Sequence, residues 1–159
     1  MDIVGQRRLM APKTVVWAAL NDTEILRRSI PGCETIEKIS DSEFTARVVL
    51  VVGPVKAKFS GRVTLANLDP PNSYTIEGEG QGGIAGFGKG GAEIQLSQES
   101  DGHTILSYKA KATVGGKMAQ LGARMIDSTT KKLVERFFEN FEKAVSADAG
   151  TDTRTETSV

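Results

Sequence analysis

The run from Lys117 to Val145, KMAQLGARMIDSTTKKLVERFFENFEKAV, limits the folds open to this chain more than any other stretch. Met118, Leu121, Met125, Leu133, Phe137, Phe141 and Val145 recur at three- and four-residue steps, and Ile126, Val134 and Phe138 widen the stripe. That is the period of one helix face; a half-buried strand would alternate at every second residue. Charges occupy the opposite face, with Lys131/Glu135 and Glu139/Lys143 spaced for i,i+4 pairing. At ~1.5 Å per residue the helix reaches roughly 40–45 Å. A stripe of that length needs a broad apolar partner, and only the strands upstream can supply one.

Those strands are legible between Cys33 and Val114, where the pattern changes to period two with turn signals between runs. The expected segments are Cys33–Ile39, Glu43–Val52, Val55–Leu68, Tyr74–Gly82, Gly88–Glu99 and His103–Val114. Phe44, Ala46, Val48, Leu50 and Val52 form one dry face. Val55, Ala57, Phe59, Gly61, Val63 and Leu65 form the next, set against Lys56, Lys58, Ser60, Arg62 and Thr64. Before them, Asp2–Leu9 reads as a first strand. Two short helices come after it, Pro12–Leu20 with Val15, Val16, Ala19 and Leu20 buried, and Thr23–Ser29, which stops at Pro31-Gly32.

The predicted order is β-α-α-β-β-β-β-β-β-α, an α+β chain. Its apolar faces are all satisfied if a curved, seven-stranded antiparallel sheet wraps around the long C-terminal helix, the helix-grip arrangement. Residues 1–146 form one domain of 159 residues in all, and the polar sequence 147–159 is expected to be a disordered tail. Lys+Arg and Asp+Glu balance at 20 each, so no net field draws the chain to nucleic acid, and basic residues are not interleaved with aromatic ones. Without an apolar leader or an 18-residue apolar run, neither export nor a membrane span is expected. One cysteine, Cys33, fits a reducing cytoplasm.

Side-chain size predicts where sheet and helix part. Tyr74 and Ile76 give way to Gly78 and Gly80 along one strand, and Leu96, Ile94 and Ala92 to Gly90 and Gly88 on its neighbour. Leu106 and Tyr108 give way to Ala110 and Ala112 on the last strand. One end of the sheet is bulky, and at the other the helix is left unsupported. An apolar ligand there would touch Gly78, Gly80, Gly88, Gly90, Tyr108, Ala110 and Ala112 from the sheet and Met118, Leu121 and Met125 from the helix. The alternative is that the glycines serve only to coil the sheet.

Meander topology adds a second inference. Asp41-Ser42, Asp69–Asn72 and Asp101-Gly102 gather at one end as ordinary polar turns. Pro31-Gly32-Cys33, the turn Val52-Gly53-Pro54-Val55, the loop Gly82–Phe87 and Val114–Lys117 gather at the other, with apolar tips. Any functional surface belongs at this second end. Val52, Pro54, Val55, Ile84, Phe87 and Lys117 would face a membrane or partner, while Ile84 and Phe87 could instead fold inward as a lid over the ligand.

Catalytic and metal chemistry is not visible. Gly86–Gly91 matches GxGxxG, but the continuation AEIQLSQ alternates as a strand, and the dinucleotide fingerprint needs a helix there. Gly90 stands where a Walker loop needs Ser or Thr. His103 and Cys33 cannot build a zinc site, and no inward strand position carries a carboxylate.

The segments PGCE at 31–34, GPVKAKFSGRV at 53–63, GFGKGGAEIQL at 86–96 and YKAKATVGGKMAQLGARMID at 108–127, followed by FFENF, resemble the CoxG family, the G subunit of carbon monoxide dehydrogenase. That family belongs to the START/Bet v 1-like (SRPBCC) superfamily. The resemblance covers about residues 1–146. It implies a non-enzymatic accessory protein of a molybdenum hydroxylase, one that binds a quinone (menaquinone or ubiquinone) non-covalently in the hollow and recruits the enzyme to the membrane. The protein would then be cytoplasmic, peripheral on the inner face of the cytoplasmic membrane. Longer members carry an apolar C-terminal anchor; residues 146–159 here contain no apolar run, a departure that argues against stable anchoring and leaves transient membrane contact through the loop end. Two other readings stay open, an assembly factor whose hollow is filled by its own side chains and a cyclase or dehydratase on the same scaffold.

Overall fold

The structure, a computed structural model, describes residues 1–146 in full and, from 147 to 158, the helical backbone alone. The polar tail expected at 147–159 lies outside the fully described residues. Strand β1 (Asp2–Leu9) is followed by α1 (Lys13–Leu20) and α2 (Thr23–Ser29). Six strands come next, β2 (Cys33–Ser40), β3 (Glu43–Val52), β4 (Val55–Asp69), β5 (Ser73–Gln81), β6 (Phe87–Gln98) and β7 (Thr104–Gly115). Helix α3 (Ala123–Ser158) closes the chain, and 3₁₀ turns occupy Gly83–Ala85 and Gly116–Leu121.

The strands form one antiparallel sheet in the order β1-β7-β6-β5-β4-β3-β2. Consecutive strands from β2 to β7 pair as hairpins, and β1 lies beside β7, with Asp2 opposite Lys111 and Leu9 opposite Thr104. The N-terminal helices are set by local chemistry. The Asp22 carboxylate accepts from the N–H groups of Glu24 and Ile25 and so caps α2, which ends where Ile30 turns extended before Pro31. Val16 and Ala19 are buried on α1, but Val15, expected in the same stripe, is 41% exposed.

The C-terminal run differs from its expected form. It is not one helix from Lys117. The segment Gly116–Leu121 is a 3₁₀ turn, and Gly122 then adopts φ 93°, ψ 151°, a conformation open in practice only to glycine. The α3 ladder starts after it, with the Ile126 N–H donating to Gly122 O at 3.2 Å. This break shifts the helix face. Phe138 and Phe141 are buried and Phe137 is half-buried, whereas the spacing puts Phe137 and Phe141 at the centre of the stripe. Neither i,i+4 charge pair on α3 forms an ion pair among the described residues.

Three apolar clusters result. The largest joins Leu9, Val16, Leu96 and Leu106 to Phe138, Phe141 and Val145. Tyr108 stacks on Phe138 at 5.5 Å, and the Arg7 guanidinium lies 5.8 Å from the same ring while its Nε donates to Glu142 Oε1 at 3.0 Å. The second cluster joins Phe44, Leu65 and Tyr74, with Trp17 edge-on to Tyr74 at 5.2 Å. Burial pushes the Tyr74 hydroxyl's pKa up, so that ring is a core element. The third cluster, Val52, Phe59, Ala85 and Met118, sits alone at the glycine-rich end. Asn140 Nδ2 donates to Ser29 O at 3.2 Å and ties α3 to the end of α2.

Candidate functional site

Between the bulky clusters and the glycine-rich one, the inner sheet face is incompletely covered. Val48, Val63, Ile76, Gly78, Gly80, Ala92, Ala110 and Ala112 all lie on the face of the buried Phe59, Leu65, Tyr74 and Leu96, yet all are only half-buried. The glycines show what stands above them. A Cβ added at Gly80 would meet only Ser60 O at 3.9 Å, and one at Gly88 only Thr113 O at 4.0 Å. At Gly78 the nearest atoms are Val63 Cγ2 at 3.6 Å and Arg62 O at 3.7 Å. All of these belong to neighbouring strands; no atom of α3 comes within 4 Å.

Register makes the open patch continuous. Gly61 faces Gly80, which faces Gly88; in the adjoining row, Gly78 faces Gly90, which faces Ala112. Gly90 differs from its neighbours, because a Cβ there would lie 2.6 Å from Lys111 O and 3.2 Å from Ala112 Cα. At Gly90 the coiling of the sheet requires glycine; at Gly78, Gly80 and Gly88 the space is open. Coiling of the sheet thus accounts for Gly90 and does not account for Gly78, Gly80 and Gly88. Beside this patch a recess of about 230 Å³ is lined by Met1, Ala112, Thr113, Val114, Ala119 and Ile126, where β7 ends and α3 begins. Larger depressions on the outer sheet face are open and charged, one of them edged by Arg62, Glu77, Glu79, Lys89 and Lys111.

The structure brings some predicted site residues together and separates others. Gly78, Gly80, Gly88, Ala110 and Ala112 line the patch, and Tyr108 borders it, stacked on Phe138. Met118 is buried in the end cluster with Leu121 packed beside it. Met125 does not face the patch. Its sulfur lies over the Gly53 backbone at the β3–β4 turn, and it is 38% exposed. Ile126 takes the inward position instead; hydrophobic spacing does not single it out, because the Gly122 break that rotates α3 leaves no mark on that spacing. Phe87 shares the outer face with Lys89, its ring lying over Gly115 on β7, so it does not close the patch.

The end of the molecule is sealed by glycine contacts. A Cβ at Gly86, φ 115°, would run into the Gly115 carbonyl, and one at Gly116 would lie 2.7 Å from Gly86 Cα. The 83–85 and 116–121 turns thus meet backbone to backbone. Ala85 points into the cluster with Phe59 and Met118, while its neighbour Ile84 is 89% exposed. Of the expected membrane or partner residues, Val52 is buried, Val55 half-buried, and Pro54, Ile84, Phe87 and Lys117 are exposed.

Among the described residues no group of three or more His, Cys, Asp or Glu side chains could hold a metal ion. Cys33 is half-buried, and burial raises its thiol pKa away from the reactive thiolate form. His103 is held at the β6–β7 turn, its Nδ1 2.8 Å from Asp101 Oδ1, far from the glycine-rich end.

A seven-stranded antiparallel sheet gripping a C-terminal helix, with a sparsely filled space between them, is an α+β START/Bet v 1-like fold. The CoxG family, the G subunit of carbon monoxide dehydrogenase, matches residues 5–146, and this chain belongs to it. Among solved structures, a conserved protein from Geobacillus kaustophilus is 31% identical, with a TM-score of 0.86 over 92% of this chain and 96% of its own. A START superfamily protein from Mycobacterium smegmatis is 12% identical, with a TM-score of 0.70 over 92% of this chain and 97% of that one. The Zhui aromatase/cyclase from Streptomyces sp. R1128 is 14% identical, with a TM-score of 0.67 over 92% and 93%. These last two share the fold. No curated protein matches the chain.

Proposed function

We propose that this protein is a non-catalytic accessory protein of a molybdenum hydroxylase of the carbon monoxide dehydrogenase type. It binds a neutral apolar molecule such as a quinone between sheet and helix and recruits the enzyme to the membrane. The family's name supports the association with that dehydrogenase. The observation that carries ligand binding is the glycine patch, where adjacent strands present bare backbone and α3 stays more than 4 Å from a Cβ added at Gly78, Gly80 or Gly88. Apolar walls with few polar groups are what a hydrophobic ligand requires.

The inner positions of β3 to β7 carry no Asp, Glu, Lys, Arg, His or Cys, so a charged ligand would find no charged partner there. The same composition disfavours the cyclase reading, since the titratable groups of these inner positions are only the phenols of Tyr74, which is buried in the core, and Tyr108, which is stacked on Phe138. Mass analysis of the organic extract from gently purified protein tests the proposal, together with titration by soluble menadione followed through Trp17 fluorescence. A co-purifying neutral quinone or saturable menadione binding is expected. Empty protein that also ignores menadione would favour the assembly-factor reading.

A further inference from the structure

The sheet has two edge strands, β1 and β2, and they differ in how far they are closed to further pairing. An edge presents a row of free N–H and C=O groups to any strand that can lie beside it, and folded proteins blunt such edges with bulges, lysines, prolines or a covering element. The β2 edge is blunted. Its ladder with β3 is irregular between Cys33 and Thr35 and again between Lys38 and Ser40, and α2 packs beside it. Strand β1 instead pairs with β7 without a break from Asp2 to Leu9 and contains neither proline nor lysine. Its inward-pointing Arg7 would oppose pairing if left alone, but Glu142 Oε1 takes its Nε–H.

The free groups of β1 can be assigned from its first pair. Met1 N donates to Ala112 O at 3.1 Å, and Ala112 N donates to Met1 O at 2.9 Å. Antiparallel pairs alternate between bonded and non-bonded, so Ile3, Gly5, Arg7 and Leu9 turn their backbone groups to β7. Asp2, Val4, Gln6 and Arg8 turn theirs away from the sheet, and no other hydrogen bond reaches those groups among the described residues. The same four side chains are exposed, Val4 at 73%. Charge runs along this row from acidic to basic. Asp2 makes no ion pair among the described residues, and Arg8 spends Nε and Nη2 on Glu99 and Asp101, which leaves its Nη1 over.

We propose that β1 pairs with β1 of a second copy of this chain, antiparallel about a twofold axis at Gly5, joining the two sheets edge to edge. A strand acidic at one end and basic at the other is complementary to its own antiparallel copy. With the axis at Gly5, Asp2 lies opposite Arg8 of the second copy and Val4 opposite its Gln6. All four outward residues then find hydrogen-bonded partners, and opposite charges meet. Moving the axis to Val4 leaves Arg8 without a partner residue, and moving it to Gln6 leaves Asp2 beyond the end of the opposing strand. Eight residues at ~3.4 Å each give a contact about 27 Å long and one strand wide. That is short of the roughly 800 Å² per partner of a stable interface, so the association should be reversible.

The test is sedimentation velocity of the full chain from micromolar to millimolar concentration, where a reversible monomer–dimer equilibrium is expected. Val4→Pro removes an outward N–H and spares the β7 ladder. It deletes two symmetry-related bonds and should weaken dimerisation about 30-fold at an unchanged melting temperature. Asp2→Lys sets like charges opposite each other and should weaken it about fivefold. Register is read by crosslinking, because a hydrogen-bonded pair has the Cα separation that a disulfide spans. Val4→Cys mixed with Gln6→Cys, both also carrying Cys33→Ser, should crosslink as a heterodimer faster than either variant crosslinks with itself. A chain that stays monomeric throughout overturns the proposal. So does a dimer indifferent to Val4→Pro and Asp2→Lys, which would place the contact elsewhere. Faster self-crosslinking of either cysteine variant would overturn the axis at Gly5. If Val4→Pro fails to fold, Asp2→Lys and the crosslinking rates decide the same question.

Discussion

Valine placed at two glycines that face each other diagonally across β5 and β6 should have opposite effects on stability. At Gly80 a Cβ meets nothing closer than Ser60 O at 3.9 Å, and the inner-face neighbours in register are Gly61 and Gly88. Replacing a strand glycine removes unfolded-state freedom worth roughly 0.5–1 kcal/mol. The added side chain is only partly covered, so it contributes a fraction of the about 1.5–3 kcal/mol that full burial would give. Gly80→Val should therefore stabilise by about 0.5–1.5 kcal/mol. At Gly90 the Cβ falls 2.6 Å from Lys111 O and 3.2 Å from Ala112 Cα. Backbone cannot swing aside as a side-chain end can, so Gly90→Val should cost about 1–3 kcal/mol or more.

With a urea m-value of about 1–3 kcal/mol/M, the two midpoints should separate by roughly 0.5 M or more. Equilibrium unfolding followed by circular dichroism reads this directly. Gly80→Val should also reduce menadione affinity, because the valine occupies the patch. A loss of stability at Gly80 comparable to that at Gly90 would mean that α3 rests on the sheet there, and the open patch would be refuted.

Other outcomes come from the packing and the caps. Phe141→Ala should lower stability by about 3–5 kcal/mol, since the ring is fully buried and stacked on Phe137 at 5.7 Å; an unmoved denaturation midpoint would disprove that burial. Asp22→Ala should cost about 0.5–2 kcal/mol by freeing the N–H groups of Glu24 and Ile25, and amide exchange in α2 should rise before exchange in the sheet. The Asp101 carboxyl is held below its ordinary range by hydrogen bonds from His103 and by the Arg8 charge. Its contribution is therefore present above about pH 4 and disappears as pH falls through the depressed folded value. Asp101→Asn should be less stable than the parent at pH 6 and equal to it in strong acid; a difference that persists in acid would locate the effect elsewhere.

Much of the fold is legible because each strand alternates cleanly between polar turns. Glu43–Val52 needs only the period of its own residues, and the Asp41, Asp69 and Asp101 turns set the hairpins that the structure contains. The resemblance carried by GPVKAKFSGRV and GFGKGGAEIQL names a family that the match over 5–146 supports. The illegible part depends on rotation about axes. The stripe Met118, Leu121, Met125 looks continuous with Phe137 and Phe141, but Gly122 at φ 93° separates two phases, and one residue decides whether Met125 or Ile126 faces inward.

The loop end shows the same limit from the opposite side. Gly82–Phe87 reads as glycine-rich with apolar tips, and nothing in the spacing says which of Ile84, Ala85 and Phe87 turns in. The structure turns in the smallest. Ala85 fits between Phe59 and Met118 because the 83–85 turn is pressed onto the 116–121 turn through Gly86 and Gly116, leaving room there for a methyl group. Ile84 is then forced outward on the opposite side of a three-residue turn, and Phe87, one residue past Gly86, joins the Lys89 face. The exposure of the largest aliphatic side chain in the loop is thus a consequence of two glycine backbones in contact, Gly86 just before β6 begins and Gly116 just after β7 ends. Hydrophobicity alone would have buried it.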